Sequence, residues 1–299
     1  MAFARIHPSN ERATAMGSLL STGRRAATML LSCGLALGIA ACSDDNNGNN
    51  NGSVGPDGSP SLPSFERVQF VLDSVQSLPD VASGDANGGF GLDMWATVVD
   101  RSGVVRVIAF SGAKEGDQWP ASRVISAQKA NTANSLSLDG LALSTANLYS
   151  AVQPGGSLFG LQESNPVNTD AAYGGNANDY GTTSDYMLGK RIGGVNVFGG
   201  GLALYDATGA VIGAIGLSGD SSCADHVISW RVRHALVLDY VPGGVDPASG
   251  TDNIVFDIDG SGASASGWGH PSCPPVPAAV TAIGQALPTT DPVRDLPTP

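Results

Sequence analysis

Histidine is scarce in this chain of 299 residues, with four in all. None stands in an HxxxH or HExxH pair, and none has a zinc-type partner at ligand spacing, so a metallohydrolase reading is poor. Four cysteines form no CxxC unit, which removes the common dithiol and metal motifs. Basic residues are few: 15 Lys and Arg stand against 27 Asp and Glu, a net charge of −12. Such a surface repels nucleic acid and anionic headgroups. Aromatics make up 6%. No GxSxG elbow, P-loop, dinucleotide fingerprint or solenoid repeat occurs. After Cys42 no apolar run approaches the ~20 residues that cross a bilayer.

What is present begins at the N-terminus. Arg24 and Arg25 precede an apolar run from Met29 to Ala41, which ends in small residues before Cys42. This is the pattern of a secretory signal, and a cysteine at that point resembles the lipobox of bacterial lipoproteins, in which it is lipidated. Residues 1–41 are therefore expected to be a signal peptide, with Cys42 the lipidated new terminus. Without residues 1–41, which hold four basic side chains and one acidic one, the net charge falls to near −15. Ser43 follows the cysteine, and no aspartate retention signal stands there. The expected location is the cell envelope, on the outer membrane or its periplasmic side, with the lipid as sole membrane contact. Residues 42–63 read as a flexible Asn/Gly/Ser/Pro spacer, roughly 25 Å in root-mean-square reach. Cys33 lies in the signal, which leaves Cys223 and Cys273 as an expected disulfide in an oxidising compartment; two separate buried thiols are the alternative.

A domain is expected over residues 64–240, with an insertion at 153–194 and a C-terminal extension with a proline-rich tail at 241–299. Apolar residues at Phe65, Val68, Val71, Leu72 and Val75 have helical spacing. The runs WATVVD and VVRVIAF, around Arg101, Ser102 and Gly103, predict a hairpin. Helices are expected over 120–136, 144–152 and 221–238, and a second hairpin joins 202–205 to 211–218. The run NIVFDI (253–258) reads as a strand. Asp257 and Asp259 suggest a fragment of a calcium loop that lacks its later acidic ligand.

Three strings in order carry a resemblance: the hairpin WATVVDRSGVVRVIAF, the helical ISAQKANTA (125–133), and GGGLALYDATGAVIGAIGLSG (199–219) running into SSCADHVISWRVRHAL. Together they resemble the GlcG/HbpS family of haem-binding or haem-degrading domains over roughly residues 93–238. The resemblance implies an α/β (α+β) fold, a central antiparallel sheet flanked by helices in profilin- or PAS-like outline, and a homo-oligomer. Two antiparallel hairpins, each followed by a helix, also give a sheet with helices packed on it. Gly213, Gly216 and Gly219 recur every third residue, which fits close helix-over-strand packing better than a backbone opened to a ligand.

On the last helix, Ala224, Ile228, Val232 and Ala235 share one face and His226, Trp230 and Arg233 the opposite one. Imidazole is a common haem iron ligand, and arginine suits propionates. These three are candidate ligand-binding residues, with haem as the candidate cofactor and His226 its iron ligand. The alternative is that the C-terminal extension covers this face, pinned by a Cys223–Cys273 bridge. Lys129 and Thr132 on the second helix are further candidates, though a solvated lysine is the plainer reading. His234 and His270 read as ordinary structural or surface groups. Within 153–194, Tyr173, Tyr180, Tyr186 and Met187 are either a solvated insertion or a recognition surface. Three functions remain open: small-ligand binding with haem or a related tetrapyrrole first, haem breakdown, and an oligomeric envelope interaction protein without a ligand.

Overall fold

A computed structural model describes residues 61–79 and 84–287. The expected signal, Cys42 and nearly all of the spacer lie outside the described residues. Helix α1 (Phe65–Gln76) starts at Ser64, whose side chain accepts the Arg67 N–H, and buries Val68, Val71, Leu72 and Val75. That capping satisfies a helix-end donor that has no partner within the helix.

Strands β1 (Trp95–Asp100) and β2 (Val105–Phe110) form the first hairpin, with Trp95 opposite Phe110. Gly103, at φ 75° in the turn, occupies backbone space open to glycine. Helix α2 (Ser122–Leu136) follows. Strands β3 (Gly201–Tyr205) and β4 (Val211–Ser218) form the second hairpin. Pairing of Trp95 with Ser218 joins β1 to β4, and the sheet runs β2-β1-β4-β3, antiparallel throughout.

Strand alternation loads both faces of this sheet. Trp95, Val99, Ile108 and Ala214 meet α2 through Ala127, Ala130 and Ala133. Ala96, Val98, Leu204, Ile215 and Leu217 meet α1 and α4 (Ser222–Ala235) on the other side. The fold is thus α+β, with a four-stranded antiparallel sheet between helical layers. Alanine on α2 and glycine on the strands allow an unusually close approach. A Cβ at Gly216 would lie 2.0 Å from the Ser126 carbonyl oxygen, and one at Gly201 2.5 Å from that of Lys129. Close packing therefore accounts for these glycines.

Two local expectations need correction. Residues 144–152 form two separate 3-10 turns, Ala146–Leu148 and Ser150–Val152. Asn147 Oδ1 accepts from both the Ser144 backbone and hydroxyl, and such local bonds compete with a continuous helix. Residues 253–258 join no strand. The Asn253 carbonyl accepts from the Asn147 side chain, and Ile254 and Phe256 pack near Gly284. Their apolar alternation is satisfied by an unforeseen helix, α5 (Pro277–Gln285), rather than by a sheet.

The 153–194 segment is folded onto the domain, with a short helix α3 (Thr169–Tyr173). Ala171, Met187 and Ile192 enter the α2-side core. Arg123 and Asp185 form a buried ion pair, and the Arg123 guanidinium lies 3.5 Å from the Tyr180 ring centre. Residues 241–287 fold back into the same unit as the sheet.

Candidate functional site

Helix α4 begins at Ser221, whose hydroxyl accepts the Ala224 N–H. Both of its faces are closed. Ile228 and Val232 enter the sheet-side core, and His226, Trp230 and Arg233 are buried as well. The C-terminal extension covers His226 and Arg233, whereas Trp230 packs in the same sheet-side cluster as Ile228 and Val232, not on the face expected of it. His226 Nε2 lies 3.2 Å from both Asn253 Oδ1 and the Ile254 nitrogen, and its ring is 5.8 Å from that of Trp230. Burial holds this imidazole down to about 3, so it is neutral at ordinary pH. Its Nδ1 has no hydrogen-bond partner.

Arg233 sends Nη1 to Asp252 Oδ2 at 2.7 Å and Nη2 to Oδ1 at 2.8 Å, both side chains being fully enclosed. Its Nη1 also donates to the Ala203 carbonyl at 3.1 Å. The arginine is thereby committed to a carboxylate of the chain itself. The disulfide joins Cys223, in the first turn of α4, to Cys273. The covered arrangement weighed for this face is the one the structure has. As folded, the face does not fit a haem, because Asn253 and Ile254 occupy the space in front of the imidazole.

Lys129 and Thr132 are buried too. Lys129 Nζ reaches from α2 to α4, donating to Asp225 Oδ2 at 2.6 Å and to the Leu217 carbonyl at 2.9 Å. Burial pushes the Lys129 ammonium down and raises the Asp225 carboxyl to about 6. Thr132 donates to the Gln128 carbonyl and accepts the Asn196 N–H. The structure thus brings Lys129 to α4 through Asp225 and leaves Thr132 apart, as an anchor for residue 196.

Partners that the sequence did not reveal are acidic: Asp252 for Arg233, Asp225 for Lys129, Asp185 for Arg123. Only Asp225 had a sequence signal, its place in the first turn of a helix. Asp257 and Asp259 accept hydrogen bonds from Ser264, Ser266 and Ser261 within their own loop. A cavity of about 290 Å³ lies between residues 150–157 and 262–267, lined by Gln153, Ser157 and Ser264. Two tyrosines remain open: Tyr173 and Tyr186 are 64% and 41% exposed. The Tyr186 side chain lies against Gly174 and Gly175, which directly follow Tyr173 in the chain.

The family model described as haem-degrading protein HbpS-like matches residues 70–232, more than half of the chain. The chain belongs to the HbpS-like family. Among solved structures, this HbpS-like chain is similar to Klebsiella pneumoniae protein ORFY of family DUF336, with 24% identity and a TM-score of 0.37. That match covers 60% of this chain and 94% of the other. It is also similar to a protein solved as a PduOC:heme complex, with 22% identity, a TM-score of 0.38, and coverage of 58% and 95%. No curated protein matches. The HbpS-like match stops at residue 232, so Arg233, Asp252, Cys273 and α5 all lie beyond it.

Proposed function

We propose that this HbpS-like chain binds haem or a related tetrapyrrole without turning it over. Membership of a family described as haem-degrading, across residues 70–232, supports the haem part of this reading. The ligand contact is assigned to the exposed aromatic surface of Tyr173 and Tyr186 rather than to α4, whose imidazole is closed off. Tyrosine oxygen is an established type of haem iron ligand, and Lys190 Nζ, 3.0 Å from the Tyr186 ring centre, places a cation beside it. The sequence around Cys42 supports an exported, lipid-anchored protein on the outer membrane or its periplasmic side. The family resemblance supports a homo-oligomer.

A haemin titration followed by the Soret band tests the function. Saturable, stoichiometric binding that Tyr186→Phe weakens and His226→Ala leaves unchanged is the expected result. Binding lost in His226→Ala would move the site to α4 and require the cover at 253–254 to open. Loss of the bound spectrum when a reductant and oxygen are added would instead indicate breakdown. A second reading, an envelope interaction protein without a ligand, is favoured by the closed α4 face; absence of saturable binding would establish it over the first.

A further inference from the structure

Three metal-ligating side chains meet where the extension is tied to α4. Donor atoms of Cys223, Cys273 and His270 all lie within 4.8 Å of one another, and all three residues are buried. His270 Nδ1 is 3.9 Å from Cys223 Sγ. The Pro271 carbonyl oxygen faces the same point, 2.7 Å from His270 Nδ1, 3.5 Å from Cys223 Sγ and 3.7 Å from Cys273 Sγ. In the oxidised chain the two sulfurs are bonded to each other and cannot ligate as thiolates.

We infer that the reduced form of this cluster is a binding site for a thiophilic divalent cation of the zinc type, held by Cys223, Cys273 and His270. Two thiolates and an imidazole are the donor set that soft and borderline metals select. The Pro271 carbonyl oxygen stands at the remaining position. In tetrahedral zinc sites, with bonds of about 2.3 Å to sulfur and 2.0 Å to nitrogen, neighbouring donors lie roughly 3.5–3.8 Å apart. The 3.9 Å from Cys223 Sγ to His270 Nδ1 is already close to that. The sulfurs, bonded at ~2 Å in any disulfide, must part by a little under 2 Å, within reach of side-chain rotation.

The balance is simple. A dithiol reductant gives two electrons to the bridge and leaves as its own disulfide, while Cys223 and Cys273 become thiols. Metal entry then displaces the two thiol protons, and the proton that Nδ1 gives to the Pro271 carbonyl moves to Nε2, facing Ser222 Oγ, so that the neutral imidazole ligates through Nδ1. Other contacts keep the donors in place once the bridge is cut. Ser222 Oγ is 2.8 Å from His270 Nε2 and orients the ring from behind, as outer-shell partners of ligating histidines do. The Cys223 N–H donates to Cys273 Sγ at 3.1 Å, a bond that favours thiolate. Asp252 stays locked to Arg233, and Ser150 Oγ donates to the Gly269 carbonyl at 2.6 Å. Ser272 and Pro274, on either side of Cys273, are exposed, which places the bridge just beneath the surface.

The test uses the full chain, oxidised or reduced anaerobically and freed of reductant, titrated with Co²⁺ and competed with Zn²⁺. One equivalent of cobalt with thiolate-to-metal charge-transfer absorption is expected in the reduced chain and none in the oxidised one. His270→Gln, whose fold is verified in the bridged state, should lower the affinity of the reduced chain at least tenfold. Zn²⁺ should raise the thermal midpoint of the reduced chain and leave that of the oxidised chain unmoved. Absence of the thiolate band, equal binding by both redox states, or indifference to His270→Gln would overturn the assignment. So would cobalt binding by a reduced chain with no cooperative unfolding, since its donors would then be gathered from an unfolded polypeptide.

Discussion

Arg233 and Asp252 meet through two parallel hydrogen bonds, at 2.7 and 2.8 Å, with neither side chain open to solvent. One belongs to the last helix of the family domain and the other to the extension, so this pair joins the two. Removing one partner leaves the other charge buried and unpaired. Asp252→Ala should therefore lose about 3–5 kcal/mol of stability, read from the urea midpoint. A loss under 1 kcal/mol would mean that the extension is not held this way.

His226 makes stability pH-dependent. Burial lowers its pKa from 6.5 to about 3, with Asp252 opposing the shift and Arg233 and His270 adding to it. The unfolded chain takes up this proton below 6.5 and the folded chain does not. Its contribution is thus full above pH 6.5 and is lost as pH falls toward 3, by about 1.4 kcal/mol per unit. Asp225, raised to about 6, acts in the opposite direction. The difference between the native chain and His226→Gln isolates the imidazole: denaturation between pH 7 and 4 should slope less in the variant.

Gly216 has no room for a methyl group, because the obstruction is helix backbone: Ser126 O at 2.0 Å and Ala130 N at 2.4 Å. Gly216→Ala must lift α2 from the sheet and should cost about 3 kcal/mol. Gly260→Ala, with nothing within 4 Å, should stay within about 0.5 kcal/mol. Thermal or urea unfolding of the two variants together checks the contrast.

Asp185 holds the 169–190 segment. It pairs with Arg123 and accepts the Gly181 and Met187 N–H groups, each at 2.9 Å. Asp185→Ala should open this segment locally before the sheet unfolds. Limited chymotrypsin digestion should then cut near Tyr173 or Tyr186 much faster than in the native chain. Unchanged cleavage would show that Met187 and Ile192 anchor the segment without the ion pair.

The Cys223–Cys273 bridge closes a loop with a sequence separation of 50. Chain-entropy arithmetic gives roughly 4 kcal/mol for such a loop. Reduction in the presence of a chelator should lower the urea midpoint accordingly, with the slope revealing any change in the unfolded state.

The sheet and its helices were readable because each of their signals is local. Alternating β-branched runs around glycine turns set β1 to β4, and 3.6-residue spacing set α1, α2 and α4. The 253–258 run was misread because alternation reports a buried face and not what buries it. In this chain α5 does so. The helix wheel separated His226 and Arg233 from Ile228 and Val232, but it set Trp230 with the former, whereas that ring packs in the sheet-side cluster.

Sequence by itself determined the fold of residues 93–238, the pairing available to Cys223 and Cys273, and the acidic balance of charge. Only the tertiary structure decided that His226 and Arg233 are enclosed, because Asn253 and Ile254 lie against the one and Asp252 against the other, beyond the end of the family match, and that Trp230 joins the sheet-side core. Only it joined Lys129 to Asp225 and Arg123 to Asp185, since burial of a charge is met by whichever opposite charge the topology brings near. Periodicity along a chain carries no record of such long-range partners; the packing of the extension on α4 creates them.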